Sequence, residues 1–235
     1  MDAIDKAQWD RLAGPLETPL LEWDWLHLLE DSRSVRAETG WLPMHLTVWS
    51  GDRLVGAAPL YAKGHSDGEF VFDHAWAHLA QRLGIRYYPK LVGMSPFSPV
   101  VGYRFLIDPS ADAAQVTRLM VNAIDSFCNT NKIVGCSFLF VDPQWKAQME
   151  SLGFIESCFD GRMRHLTVQA DRKIFTGRGK DSFGQPEKNL RAAGKNSTSK
   201  NTIERTTKNT FKEIGARTKD LEVVLEAFRD RKSGS

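Results

Sequence analysis

Residues 133–141, Ile-Val-Gly-Cys-Ser-Phe-Leu-Phe-Val, form a nearly continuous apolar run rich in β-favouring side chains. Such a strand has no polar face to turn toward water, so other elements must cover both its sides. Asp142-Pro143 comes immediately after, pairing a helix N-cap with a proline at the first helical position. Trp145, Met149 and Leu152 fall along the helix so begun, Gly153 ends it, and Phe154–Phe159 reads as a returning strand. A doubly covered strand, a helix and a second strand in succession require helices layered on a sheet.

The upstream sequence predicts compatible elements. Thr18-Pro19 opens a helix carrying Leu21, Trp25, Leu28 and Leu29 on one face. Met44–Trp49 and Arg53–Lys63 read as a hairpin turning at Ser50-Gly51-Asp52, and Glu69–Asp73 as a third strand. Trp76–Leu83 is a short helix closed by Gly84, and Arg104–Asp108 a further strand. Asp108-Pro109-Ser110 then opens a long helix whose apolar face is Ala113, Val116, Leu119, Met120, Ala123, Ile124 and Phe127. The expected fold class is α/β, with a mixed central sheet.

Charge and aromatic content divide the chain. Residues 171–235 hold 16 basic and 9 acidic side chains, leaving 15 and 20 in residues 1–170. All seven tryptophans and all four tyrosines lie at or before position 145. The expected organisation is a lead-in over 1–19, a folded domain over 20–170 and a basic, poorly ordered tail over 171–235 with a short amphipathic helix over 220–231. The tail's lysines and arginines are evenly spread, which fits a solvated segment better than a nucleic-acid arm. Cys128, Cys136 and Cys158 form no CxxC motif, as expected of reduced thiols. The Met-Asp-Ala-Ile-Asp-Lys start carries no apolar leader, and no run approaches the roughly 20 residues that span a bilayer. A cytoplasmic protein without a membrane span is expected.

The densest chemistry lies between His65 and Pro99, where ionisable groups alternate with rings and Pro89, Pro96 and Pro99 stiffen the later backbone. Rigid walls aiming a few polar groups suit the lining of a pocket. His65 with Asp67 lacks a third ligand at metal-binding spacing, so no metal is expected.

The chain bears two resemblances to known families. The segment from Phe138 through Asp142-Pro143 to Gly153-Phe154 resembles the strand–helix–strand ending of GNAT-type acyltransferases, as Leu54–Tyr61 resembles their early strands. More specifically, Glu38–Trp41, Ala57–Tyr61, Gly68–Trp76, Arg86–Leu91 and Pro96–Val100 together resemble GNAT-like, Fem-related proteins of peptidoglycan biosynthesis or recognition. The resemblance implies a GNAT-like mixed sheet flanked by helices, and transfer of an acyl or aminoacyl group to a small-molecule or peptide amine. The donor it implies is acyl-CoA (acetyl-CoA) or an aminoacyl-tRNA, with Phe140, Val141 and Met149 beside the cofactor. It also implies a second GNAT-like half, to which residues 171–235 bear no likeness. A truncated, non-catalytic remnant or binding module for a wall-peptide-like ligand is therefore the alternative.

Amine acylation requires a proton acceptor as the nitrogen attacks. Glu69, Asp73 and His74 are the candidates, with Asp73 and His74 equally suited to capping the helix that begins near Ala75. His65, Tyr87, Tyr88, Lys90, Phe97 and Ser98 are candidates for substrate contact. On a strand, one of the two adjacent tyrosines would face away from the site.

Overall fold

A computed structural model describes residues 1–71, 73–152, 154–159, 163–169 and 221–227. The chain begins with helix α1 (Lys6–Ala13), capped by the Asp5 carboxylate on the Gln8 N–H, and continues into α2 (Trp23–Asp31). Strands β1 (Leu42–Ser50), β2 (Arg53–Ala58) and β3 (Tyr61–Lys63) come after it, then α3 (His74–Arg82) and β4 (Lys90–Gly93). A two-residue strand β5 (Leu106–Ile107) precedes the long α4 (Ala113–Asn131). The sequence then runs through β6 (Gly135–Leu139), α5 (Pro143–Ser151), β7 (Ile155–Phe159), β8 (Met163–Gln169) and β9 (Glu222–Ala227).

These strands form one mixed sheet in the order β5-β2-β1-β3-β4-β6-β8-β7, with β9 also on β1. Only β4 and β6 pair in parallel, Leu91 opposite Cys136 and Gly93 opposite Phe138; the other ladders are antiparallel. The mixed sheet flanked by helices is the architecture the sequence predicts.

The expected Arg53–Lys63 strand is broken at Pro59-Leu60. Pro59 has no N–H for a ladder, and the Leu60 carbonyl instead accepts from the Met44 N–H. The halves consequently flank β1 on opposite edges, β2 on one side and β3 on the other. β3 pairs only with Leu42 and Pro43, leaving the rest of that edge to β9, antiparallel along Met44–Trp49. The short helix expected over 220–231 is therefore a strand across residues 222–227. Val223 and Val224 favour extended backbone, and an open strand edge supplies the partners. The rest of the basic tail lies outside the described residues.

Helix starts also differ from expectation. Thr18-Pro19 begins only a 3-10 turn, the α-helix starts at Trp23, and Leu28 faces outward while Leu26 is buried. Asp108 does not cap the long helix: it pairs with Arg11 and Arg53 and accepts from Ser110, and Asp112 is the cap. Asp142 caps α5 through Gln144 and Trp145 as predicted. Of residues 1–19, Met1, Ile4, Trp9, Leu12 and Ala13 are buried in the core that includes Val116, Met120 and Ile124 of α4. A Cβ on Gly56 would meet Val116 and Val48, so its lack of a side chain lets α4 approach β2. A second cluster, including Trp41, Tyr61, Val92 and Met94, lies beside a buried polar network at the end of β3 and β4.

Candidate functional site

The antiparallel register of β3 and β4 sets Lys63 directly opposite Lys90. Like charges in that position repel, and both side chains are buried. Isolated ions there would be untenable, so counter-charges must be brought to them. The loop after β3 does this: it turns back at Gly68 and delivers Glu69, Asp73 and Ser66 onto the lysine pair.

Lys90 Nζ donates to Glu69 Oε2 at 2.8 Å, Asp73 Oδ2 at 2.8 Å and Ser66 Oγ at 2.7 Å, using all three of its protons. Asp73 Oδ2 also accepts from Ser66 Oγ and from the Tyr87 hydroxyl, each at 2.9 Å. The Tyr88 hydroxyl lies 2.8 Å from Ser66 Oγ. Lys63 Nζ donates to the Asp67 carbonyl at 2.9 Å, stands 3.8 Å from Glu69 Oε1 and sits 3.3 Å over the Trp41 ring. Glu69 Oε1 and Asp73 Oδ1 are buried acceptors with no hydrogen bond among the described residues. Tyr87 and Tyr88, half-buried, form the outer wall with rings edge-to-face 5.0 Å apart.

The two lysines are driven apart in proton affinity. Burial holds Lys63 down at about 7, and the neighbouring Lys90 charge adds to this against the pull of Glu69. Burial opposes charge on Lys90 as well, but Glu69 and Asp73 outweigh it and raise its pKa. Among the acids, burial raises Glu69 despite Lys90. Burial also opposes the Asp73 anion, yet Lys90, Ser66 and Tyr87 together hold its pKa below the ordinary value. The result is a fixed Lys90–Asp73 ion pair beside Glu69 and Lys63, two groups whose charges are held weakly.

Of the predicted residues, Glu69, Asp73, Tyr87, Tyr88 and Lys90 converge, while Lys63 and Ser66 complete the cluster unforeseen. The signal for Lys63 was a charge ending the apolar Leu54–Ala62 run. Glu69, Phe70, Val71 and Asp73 are not in a strand; Phe70 adopts positive φ, so strand alternation is not what brings Glu69 and Asp73 together. Residues 85–88 are likewise not a strand, so both tyrosine hydroxyls reach the same cluster. Asp73 stands at the N-cap position of α3, but its carboxylate makes no cap hydrogen bond, being committed to Lys90. His74 is exposed on the first turn of α3, apart from the network. The His65 ring packs against Gly40, with Nδ1 accepting from the Asp67 N–H. Phe97 lies 5.3 Å from Trp41, one ring removed from Lys63, and Ser98 bonds the Pro96 carbonyl in its own turn. Among the described residues no three His, Cys, Asp or Glu side chains are grouped to hold a metal.

The residues expected beside acyl-CoA are arranged differently. A pantetheine arm running between parting strands needs free backbone edges and open space. Beyond Gly93 and Phe138 the β4–β6 pairing ends, and the Phe140 carbonyl already accepts from the Gly102 and Tyr103 N–H groups. The Asp142 N–H donates to the Tyr103 carbonyl, while the Tyr103 ring stacks on Phe138 and its hydroxyl donates to the Pro59 carbonyl. A Cβ on Gly93 would strike Tyr103, so the ring occupies the ground where the strands part. Val141 and Met149 are buried, and only Phe140 is partly open. A nearby recess lined by Thr18, Leu21, Ser95 and Tyr103 measures about 10 Å³, room for one water. Among the described residues, the place where β4 and β6 part is filled by Tyr103 and closed by backbone hydrogen bonds.

The family model for FemAB-like proteins, described as peptidoglycan biosynthesis/recognition, matches residues 1–170, and the chain belongs to that family. No curated protein matches the sequence significantly. Among solved structures, the CoA-dependent acyl-homoserine lactone synthase BjaI, with SAM and isopentyl-CoA, is 19% identical over 55% of this chain, with a TM-score of 0.35. This chain covers 58% of the synthase's length. An insect protein described as arylalkylamine N-acetyltransferase 7, from the yellow fever mosquito, is 12% identical over 70% of this chain and 77% of its own, with a TM-score of 0.42. A tyrosine-to-phenylalanine mutant of KacT is 18% identical over 61% of this chain and 80% of its own, with a TM-score of 0.34.

Proposed function

We propose that this protein transfers an acyl or aminoacyl group to an amine in peptidoglycan chemistry, with the Lys63–Lys90–Glu69–Asp73 network as its proton-handling centre. The observation that carries the reading is the facing lysine pair under two carboxylates, where burial leaves Glu69 receptive to a proton. An amine approaching over Tyr87 and Tyr88 forms its bond to the donor's carbonyl carbon as the ester-type bond breaks. The proton the amine sheds goes to Glu69, whose buried Oε1 has no hydrogen bond among the described residues. The released tRNA 3′-oxygen or CoA sulfur departs as the free hydroxyl or thiol, with the proton that Glu69 relays to it. Lys90, held charged by Asp73, steadies Glu69 and keeps the local field fixed. Of the two donors the resemblance implies, an aminoacyl-tRNA needs no pantetheine groove and suits this chain better, in the cytoplasm where such a donor is available.

A second reading, recognition of a wall peptide without chemistry, is favoured by the closed strand ends at Phe140 and Tyr103. The discriminating experiment offers a stem peptide with a free side-chain amine, together with aminoacyl-tRNA or acetyl-CoA. Transfer that falls about a hundredfold in Glu69→Gln, with stability unchanged, supports catalysis at this centre. Peptide binding without turnover under either donor supports recognition. Turnover indifferent to Glu69→Gln and Asp73→Asn together sinks the assignment.

A further inference from the structure

Among the five described α-helices, α3 alone buries none of its residues. Yet Trp76, Leu79, Ala80 and Leu83 match the i, i+3, i+4, i+7 spacing of a stripe that would ordinarily face a core. Leu79 and Ala80 in its middle are half-buried, while Trp76 at one end is 40% exposed and Leu83, just past the helix, 64%. The same end of the sequence exposes Phe70 and Phe97, and then Val100 and Val101. Of the seven large hydrophobic residues exposed on the described surface, six fall between positions 70 and 101.

Two details argue that this exposure is built in. Phe70 and Phe97 both sit at positive φ, 57° and 58°, a conformation bulky side chains rarely adopt without a reason. The Phe97 ring lies over Gly68, two residues before Phe70, so the two turns adjoin. Charge supplies the second detail. Residues 74–90 contain no Asp or Glu, and His74, His78, Arg82 and Arg86 are exposed, Arg86 giving one guanidinium nitrogen to the Lys132 carbonyl. The exposed carboxylate on the adjoining turn, Asp67, stands 3.4 Å from His65 Nδ1. Aromatic and aliphatic tips among arginines suit the headgroup layer of an anionic bilayer. Among the described residues no helix is long and apolar enough to cross a membrane, so contact would be peripheral.

We propose that this face docks on an anionic lipid surface, Trp76, Leu83 and the two phenylalanine turns entering the headgroup region while Arg82 and Arg86 meet lipid charge. It goes beyond the transfer reading and does not depend on it.

The test is sedimentation of the full chain with vesicles of phosphatidylcholine alone or with phosphatidylcholine and phosphatidylglycerol mixed. Binding to the mixed vesicles is expected, weakening about tenfold in Trp76→Ser/Leu83→Ser and again in Arg82→Gln/Arg86→Gln. Phe97→Ser serves as a second apolar variant, and circular dichroism confirms that each variant is folded. Transfer to a soluble peptide amine should be unchanged in the α3 variants. Absence of binding overturns the proposal. So does binding that survives the apolar substitutions and vanishes only with salt, which would assign it to the basic residues beyond 170.

Discussion

Lys63 is the residue whose behaviour most sharply distinguishes a working site from a neutral patch of polar core. Its pKa is held near 7 by burial, against an ordinary lysine value of 10.5. Between those values the unfolded chain keeps a proton that the folded chain has released. Stability should therefore rise with pH from about 7 toward 10.5, by an amount on the order of 5 kcal/mol, while below pH 7 the cost of the buried charge is fully present. Urea unfolding across that range should show the slope in the parent and its loss in Lys63→Met. An unchanged slope in the variant would place the titrating group elsewhere. Lys90 obeys different logic. Its three hydrogen bonds leave no proton unpaired, so its charge is structural, and it keeps two carboxylates in a setting where either alone would be driven neutral.

At the scale of elements, β1 organises the sheet, because β3 and β9 divide one of its edges. Proline at position 224 would interrupt the β9 ladder and disturb the strand whose Val224 carbonyl accepts from Thr47 Oγ1. Hydrogen exchange should then quicken at the β1 amides facing β9, with the β3–β4 pair unaffected; uniform quickening throughout the sheet would mean that β9 is integral to global stability. Element types with strong local signals were legible in the sequence: the β1–β2 turn, the Asp142-Pro143 cap and the apolar face of α4. What escaped depended on long-range partners. Asp108-Pro109 carries a helix-start pattern, but two arginines claim the carboxylate, and the cap moves to Asp112. Residues 222–227 fit either period, and the open edge of β1 decides.

For the whole molecule, three residues of β3 join two halves of the sheet, β5-β2-β1 with β9 on one side and β4-β6-β8-β7 on the other. The polar network sits at the outer end of that junction, where the Lys63–Lys90 pair ends the β3–β4 ladder. Glu69, Asp73, Tyr87, Tyr88 and Lys90 could be read from the sequence because they crowd into one short, ring-rich stretch. Lys63 and Ser66 could not, since their importance comes from strand register and a loop reversal. The chain belongs to the FemAB-like family, and the network is the centre proposed to act in it. Lysine-selective NMR on chain labelled at Cε, titrated with pH and then with a stem peptide bearing a free amine, examines that centre most directly. One lysine should titrate near 7, disappear in Lys63→Met and shift when the peptide is added. Lysines that all titrate at ordinary values, with no response to the peptide, would contradict the site.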